Sequence, residues 1–598
     1  MKKKPAAPAG GPTLVFVAPW ECSRAVAQLP RTADDSIIAC FIESVDKGRA
    51  LPWHRQKLVL VLSAMRHFAD ALIAAGYRVD FRTADSYDAG LAAAAREYGA
   101  SRVVATEGRE WDMVSSLERA AAALSTLDVP LELRPDRGFL ATRADFTRWS
   151  RGKKELRMEF FYREMRRQHG ILLEPDGKPT GGEWNFDADN RKPWPKQKPV
   201  PARLTFEPDE ITRGIMQRVN RWKDRWASAD GFSLPVTRAD AKLLLERFVT
   251  ERLPEFGPYE DAMQDGHADL LHSTLASVIN VGLLHPKEVI LRAERAYREG
   301  HATLPSVEGF IRQILGWREY VRGIYWHLMP AVREANALEA WLPLPMWFWA
   351  PDGEAGYAGA AAGSACEMRC LADSIRAVRD TGRVHHIPRL MVQSNFATLL
   401  GVTPAALNRW FWAAFTDAYE WVTLPNVIGM ATFGDGGVMA SKPYVASGAY
   451  INRMSNYCGS CRYDVKARSG DDACPFNLLY WDFIARHRDR FANHPRMAMM
   501  IRNLDRIPAP ELVQIRRAAS DFRESLQYDS LAPAPVGSSR SVNGNCLIRA
   551  QDTECRVWLS DTNACDGKCI TQACGRKTAN SRKTASERGG VHTAMDRC

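Results

Sequence analysis

The chain has 598 residues, 46% hydrophobic and 25% charged, too many for one hydrophobic core, so two or three domains are expected. A net charge of +10 suits an anionic partner such as nucleic acid or a membrane surface. No apolar run is long enough to span a bilayer, and residues 1–12 are cationic without the apolar stretch of a secretory signal, so a cytoplasmic protein with a disordered N-terminal arm is expected.

From Thr13 the pattern alternates strand and helix. TLVFVAP (13–19), SIIACFIE (36–43), YRVDF (77–81), SRVVATE (101–107) and LELRPD (131–136) read as short strands, with helices over 57–75 and 117–127. Such alternation predicts an α/β domain over 13–150, a parallel sheet covered on both faces. No Gly-x-Gly-x-x-Gly follows the first strand, so a dinucleotide fingerprint is absent. Residues 151–170 (RGKKELRMEFFYREMRRQHG) read as a basic amphipathic helix, and a loop rich in Pro, Gly, Lys and Asp follows to about 205. Loops this long are usually functional or linkers. From 206 to 525 the chain reads as helical throughout, with helices over 210–228, 238–252, 268–284, 286–299, 306–329, 367–381, 387–400, 404–420 and 476–491. After about 526 the composition shifts to Ser, Asn, Thr, Arg and Cys, and a disordered tail is expected.

Thirteen cysteines in a cytoplasmic chain do not imply a disulfide framework. Cys458 and Cys461 form a Cys-x-x-Cys turn, and Cys474 precedes a proline. Such a turn presents two sulfurs to one centre, and two further thiolates complete a tetrahedral or cubane site. Cys370 and Cys366 are candidates for the fourth position. Free thiols, zinc, a redox dithiol and an iron–sulfur cluster all remain open on spacing alone.

Several of the 18 tryptophans crowd between Trp317 and Trp421, which suits either a packed aromatic core or a planar ligand. GWREY (316–320), HHIPRLMV (385–392), DAYEWV-x-LPNVIGM (417–430), KPY-x-ASG-x-YINRMS (442–455) and YC-x-x-CRYD (457–464) occur in order. Together they resemble the iron–sulfur bacterial branch of the photolyase/cryptochrome family, the prokaryotic (6-4) photolyases. The resemblance covers about 13–525 and implies a photolyase-type α/β domain, an interdomain loop and a helical FAD-binding domain holding a 4Fe–4S cluster. The activity it implies is light-driven repair of (6-4) photoproducts in UV-damaged DNA by a monomeric, nucleoid-associated lyase. A cryptochrome-like photoreceptor without repair, or a light-independent iron–sulfur nucleic-acid-binding protein, is the alternative.

Carried over residue by residue, the resemblance implies Cys370, Cys458, Cys461 and Cys474 as cluster ligands, with Cys366 spare. It implies Arg389 and Asp417 as the charged pair facing the isoalloxazine, Asn426 beside flavin N5, Gln313 and Arg318 as polar lining, and His272, Ser273 and Leu275 around the diphosphate. Ala276 stands where that loop usually carries a hydroxyl. His386, with His385, fits the proton donor to the lesion, and Asp187 an acid reaching the same pocket. Trp410 and Trp349 fit an electron route, with Phe411 where a relative can carry Tyr. Arg151, Lys153, Lys154, Arg157, Arg163, Arg166, Arg167, Lys442, Arg453 and residues 192–198 form a candidate phosphate rail. A 6,7-dimethyl-8-ribityllumazine antenna at the sheet edge is expected from the relatives, although APWECS (18–23) replaces the usual Gly-Asp-Gln-Leu turn.

Overall fold

The computed structural model describes residues 10–354 and 363–529. Five parallel strands, β1 (Thr13–Val17), β2 (Ile37–Ser44), β3 (Arg78–Ala84), β4 (Arg102–Thr106) and β5 (Leu131–Arg134), pair in the order β3-β2-β1-β4-β5. Val15 lies opposite both Ala39 and Val104. Side chains alternate across a sheet, and the alternation divides two cores. Leu14, Phe16, Ile38 and Val103 pack with Leu91, Ala94 and Leu117 of helices Tyr87–Tyr98 and Trp111–Ser125. Val15, Val17, Phe41 and Val104 face Leu60, Met65 and Phe68 of helix Arg55–Ala74, in a core continuous with the helical part of the chain.

Besides the five-residue Val45–Arg49, two helices of the sheet region escape the sequence reading. Tyr87–Tyr98 is Ala-rich, with Ser86 accepting from Ala89 N at 3.2 Å and Gly99 ending it at φ +55°. Arg143–Ser150 opens with a capping box between Thr142 and Asp145. The expected basic helix over 151–170 begins only at Met158, since Gly152 sits at φ +73°, so Arg151, Lys153, Lys154 and Arg157 lie on a connecting loop. The helix expected over 268–284 shrinks to Ala276–Asn280, because Leu270 (φ +41°) and Thr274 (φ +56°) take left-handed conformations that interrupt a right-handed helix. Helices also end earlier than expected at Asn220 and Ala414.

Beyond β5 the described residues add helices and irregular segments but no further sheet strand. Three segments wind as π-helix, Arg312–Arg318, Pro388–Ser394 and Pro425–Ala431. Such widened turns are frequent at functional sites, and these three carry Gln313 and Arg318, Arg389, and Asn426 respectively. The arm over 1–9 and the tail from 530 lie outside the described residues, with Cys546, Cys555, Cys565, Cys569, Cys574 and Cys598.

Candidate functional site

The left-handed turn at Thr274 brings His272 back against the start of the helix carrying His385. Their rings stack with centroids 4.2 Å apart. His272 Nε2 lies 3.1 Å from Glu260 O, and Glu260 Oε1 accepts from Gln313 Nε2 at 2.7 Å. Burial pushes the Glu260 carboxyl up to about 7 despite Arg312. Burial, then Asp187, pushes neighbouring Asp261 up to about 6. Burial would also raise Asp187, but Arg312 at 3.0 Å and Arg191 overcome it and hold its pKa low. The loop that follows helix Met158–His169 is thereby anchored one residue from Gln313.

His386 exposes its ring yet lies deep in the molecule, the situation of a side chain lining a crevice. Burial and then Arg389 push its pKa down to about 4. Arg389 grips Asp417 with two bonds of 3.0 Å and lies 4.2 Å over the Phe415 ring. Asn280 Nδ2 donates to Asp417 O at 2.8 Å, and Ser277 Oγ meets Thr416 Oγ1 at 2.9 Å. Ser273 Oγ accepts from Leu275 N at 3.3 Å, holding the turn that leads into this helix. Contacts thus link His272, Ser273, Leu275, Gln313, His385, Arg389 and Asp417 into one neighbourhood, with His386 beside Arg389 and Asp187 reaching it through Arg312.

Arg318 does not join them. Its guanidinium lies 4.0 Å over Phe139, paired with Glu319 at 3.0 Å, on the side facing the sheet. Asn426 Nδ2 donates to Val422 O of its own helix at 2.7 Å.

From Phe415, under Arg389, aromatic rings run inward. Phe415 contacts Trp410 (centroids 5.5 Å), Trp410 contacts Trp226 (6.4 Å), and Trp226 contacts Trp349 (5.5 Å). Trp226 Nε1 donates to Trp349 O at 2.9 Å and Trp410 Nε1 to Phe348 O at 2.8 Å, fixing both indoles. Trp226 escapes the sequence reading. It closes an expected helix in RWKDRW (221–226), and only its indole type among basic neighbours hinted at a role.

Cys370, Cys458, Cys461 and Cys474 line one cavity with Met368, Ile451, Tyr457 and Phe476. Cys370 begins helix Arg369–Thr381, Cys458 and Cys461 bracket a tight turn, and Cys474 caps helix Pro475–Arg486. Burial pushes the Cys458 thiol up to about 11 and Cys474 to about 12. Cys366 is buried outside that lining, its Sγ 3.9 Å from Met368 O. Among the described residues no three His, Cys, Asp or Glu side chains are arranged to hold a single metal ion.

On the candidate phosphate rail, Arg151, Lys153, Lys154 and Arg157 are exposed. Arg166 leaves the rail: it is fully buried and donates to the carbonyls of Ile171 and Trp184 at 3.2 and 2.9 Å. Among the described residues no helix is long and apolar enough to cross a membrane.

A five-stranded parallel sheet set beside a large helical body is the fold of photolyases and cryptochromes. The structure aligns with a bacterial class III photolyase from Agrobacterium tumefaciens at a TM-score of 0.52 and 15% identity, covering 87% of this chain and 99% of that one. In sequence the chain is 42% identical over 499 residues to the (6-4) photolyase of Agrobacterium fabrum, 82% of this chain and 95% of that protein. A shorter stretch of 101 residues is 32% identical to an uncharacterized protein of Acanthamoeba polyphaga mimivirus, 17% of this chain and 75% of that protein. The deoxyribodipyrimidine photo-lyase-related protein family matches residues 16–233, and the chain belongs to that family.

Proposed function

We propose that this protein is a DNA photolyase that reverses (6-4) pyrimidine photoproducts in light, using FAD. The observation that carries this reading is the doubly bonded Arg389–Asp417 pair with exposed His386 three residues from Arg389. When bound and reduced, FAD supplies the photoexcited electron that such repair needs.

The chain's own residues do the rest. Arg389 and Asp417 present a fixed charge pair toward the ring, held by Asn280 and Phe415. Gln313 and the turn at Ser273–Leu275 offer polar groups to the remainder of the cofactor. A flipped base entering here meets His386, whose N–H can hydrogen-bond the lesion and whose imidazolium form can hand over a proton and, left as neutral imidazole, take it back. Asp187, tied to Arg312 and Arg191, would fix the loop that carries it beside Gln313. Trp410, Trp226 and Trp349 form the inward route by which an electron reaches the pocket.

The four thiols ring a cavity instead of converging on one point, which suits a polynuclear 4Fe–4S cluster better than a lone zinc ion. Cys370, Cys458, Cys461 and Cys474 would hold it, bracing the end of the helical body. Exposed Arg151, Lys153, Lys154 and Arg157 suit the phosphates of the damaged duplex.

The test is direct. Oligonucleotides carrying a defined (6-4) lesion are illuminated with the reduced protein and scored for restored pyrimidines. Repair is expected. A flavin-loaded protein that restores neither (6-4) nor cyclobutane lesions overturns the reading in favour of a photoreceptor.

A further inference from the structure

In open parallel sheets, ligands enter at the carboxyl edge where the strand order reverses, here between β1 and β4. This chain fills that crevice itself. β1 runs into Trp20, Glu21 and Cys22, which are 3%, 0% and 2% exposed. Glu21 Oε2 accepts from Ala18 N at 2.9 Å, and Oε1 is bonded by the Thr106 hydroxyl at the end of β4. Arg109 follows, 1% exposed, gripping Asp136 at 2.6 and 3.0 Å and donating to Asn280 O at 3.1 Å.

The turn after helix Ala276–Asn280 closes the crevice from above. Cys22 N donates to Val281 O at 3.2 Å, and a Cβ added at Gly282 would stand 2.4 Å from Trp20 O. The flank over β2 is filled as well. The Lys57 ammonium lies 4.5 Å from the Trp53 ring centre and donates to Ala418 O at 2.6 Å. Lys47 pairs with buried Glu110 at 2.8 Å. Two donors, Trp20 Nε1 and Tyr419 Oη, lack a partner, but both rings are themselves buried, so they mark unmet hydrogen bonds and not an unfilled volume.

A flat bicyclic ring with a ribityl chain does not fit this edge. Admitting it would require moving the Trp20 indole or splitting the Arg109–Asp136 pair, which leaves a buried charge without its partner. We propose that the sheet edge is closed and that the protein carries no second chromophore there, the lumazine expected from the relatives included. This inference rests on the flavin reading above and makes the flavin the sole light-gathering pigment. The carboxyl edge serves instead as an anchor, since Arg109 and Asn280 join the sheet to the backbone of Asp417.

The experiment uses the full chain. Pigments released by denaturing the purified protein are separated and quantified, and the native protein is titrated with 6,7-dimethyl-8-ribityllumazine while its fluorescence is followed. Flavin without a stoichiometric second pigment, and an unchanged lumazine signal, are expected. A second pigment in near-equal amount, or saturable quenching, overturns the inference. Loss of flavin from the same extract would count against the flavin reading instead, and the titration still decides the crevice.

Discussion

His272 and His385 lie ring on ring, 18° from parallel at 4.2 Å, although one comes from a loop and the other from a helix start. Two cations cannot share that geometry, and burial drives His272 down to about 4 and His385 well below its ordinary value, with His272 as the second cause.

Both folded values lie below the ordinary histidine value of about 6.5, so on acidification the unfolded chain takes up protons before the folded one. The associated stability is complete above pH 6.5 and is lost as the pH falls toward 4, at about 1.4 kcal/mol per pH unit for each ring. His385→Phe keeps an aromatic ring against His272 and removes one titrating group. Denaturant unfolding at pH 7 and pH 5 should show a smaller acid loss than in the parent. An unchanged slope would mean that His385 titrates normally in the fold.

Glu21 has the opposite sign. Burial raises its carboxyl to about 7, so it is protonated in the fold at pH values where the unfolded chain is ionised. Its stability contribution is present below about 4.5 and lost as the pH rises toward 7. Glu21→Gln keeps the bond from Ala18 N on its amide oxygen, donates to the Thr106 hydroxyl from its amide nitrogen, and removes the penalty, on the order of 3 kcal/mol above pH 7. Unfolding at pH 8 should find the variant more stable than the parent, and a variant-minus-parent difference that is the same at pH 5 and pH 8 would sink the assignment.

His386→Ala should leave flavin binding intact and lower (6-4) repair by about 10²- to 10⁴-fold, the usual yield of a positioned acid. Because its pKa is near 4, repair by the parent should show no step near pH 6.5 attributable to this ring. Retained repair in the variant would remove it as donor.

Cys458→Ser or Cys461→Ser should cost the protein its iron and acid-labile sulfide, whereas Cys366→Ser should retain both. Elemental analysis after anaerobic purification decides. Iron lost with Cys366 and kept without Cys458 would reverse the assignment of the spare thiol.

Trp226→Phe removes the indole between Trp410 and Trp349. Photoreduction of the flavin by blue light with an external thiol should slow severalfold, while repair after chemical reduction should be preserved. Equal photoreduction rates would show that the electron bypasses Trp226.

The alternation of short apolar runs and helices in 13–136 already specified a parallel sheet, because continuous apolar runs between helices imply strands covered on both faces. Cys458, Cys461 and Cys474 announced a thiol-rich centre by spacing alone, and the ordered motifs from GWREY to CRYD announced the family. Spacing could not say which upstream cysteine completes the set. Only the fold places Cys370 in the lining of the cavity and leaves Cys366 outside that lining. The sequence reading gave Arg318 to the same polar lining as Gln313, but Gln313 bonds Glu260 whereas Arg318 packs on Phe139 and pairs with Glu319. Asn280 carried no local signal, and Trp226 only its indole type. Their roles arise from contacts across more than a hundred residues, Trp226 with Trp349 and Asn280 with Asp417. Local pattern records which face of an element is buried. Which side chains meet at a site depends on how those faces are docked, and that was settled only when residues such as Arg109 and Gly282 closed the sheet against the helical body.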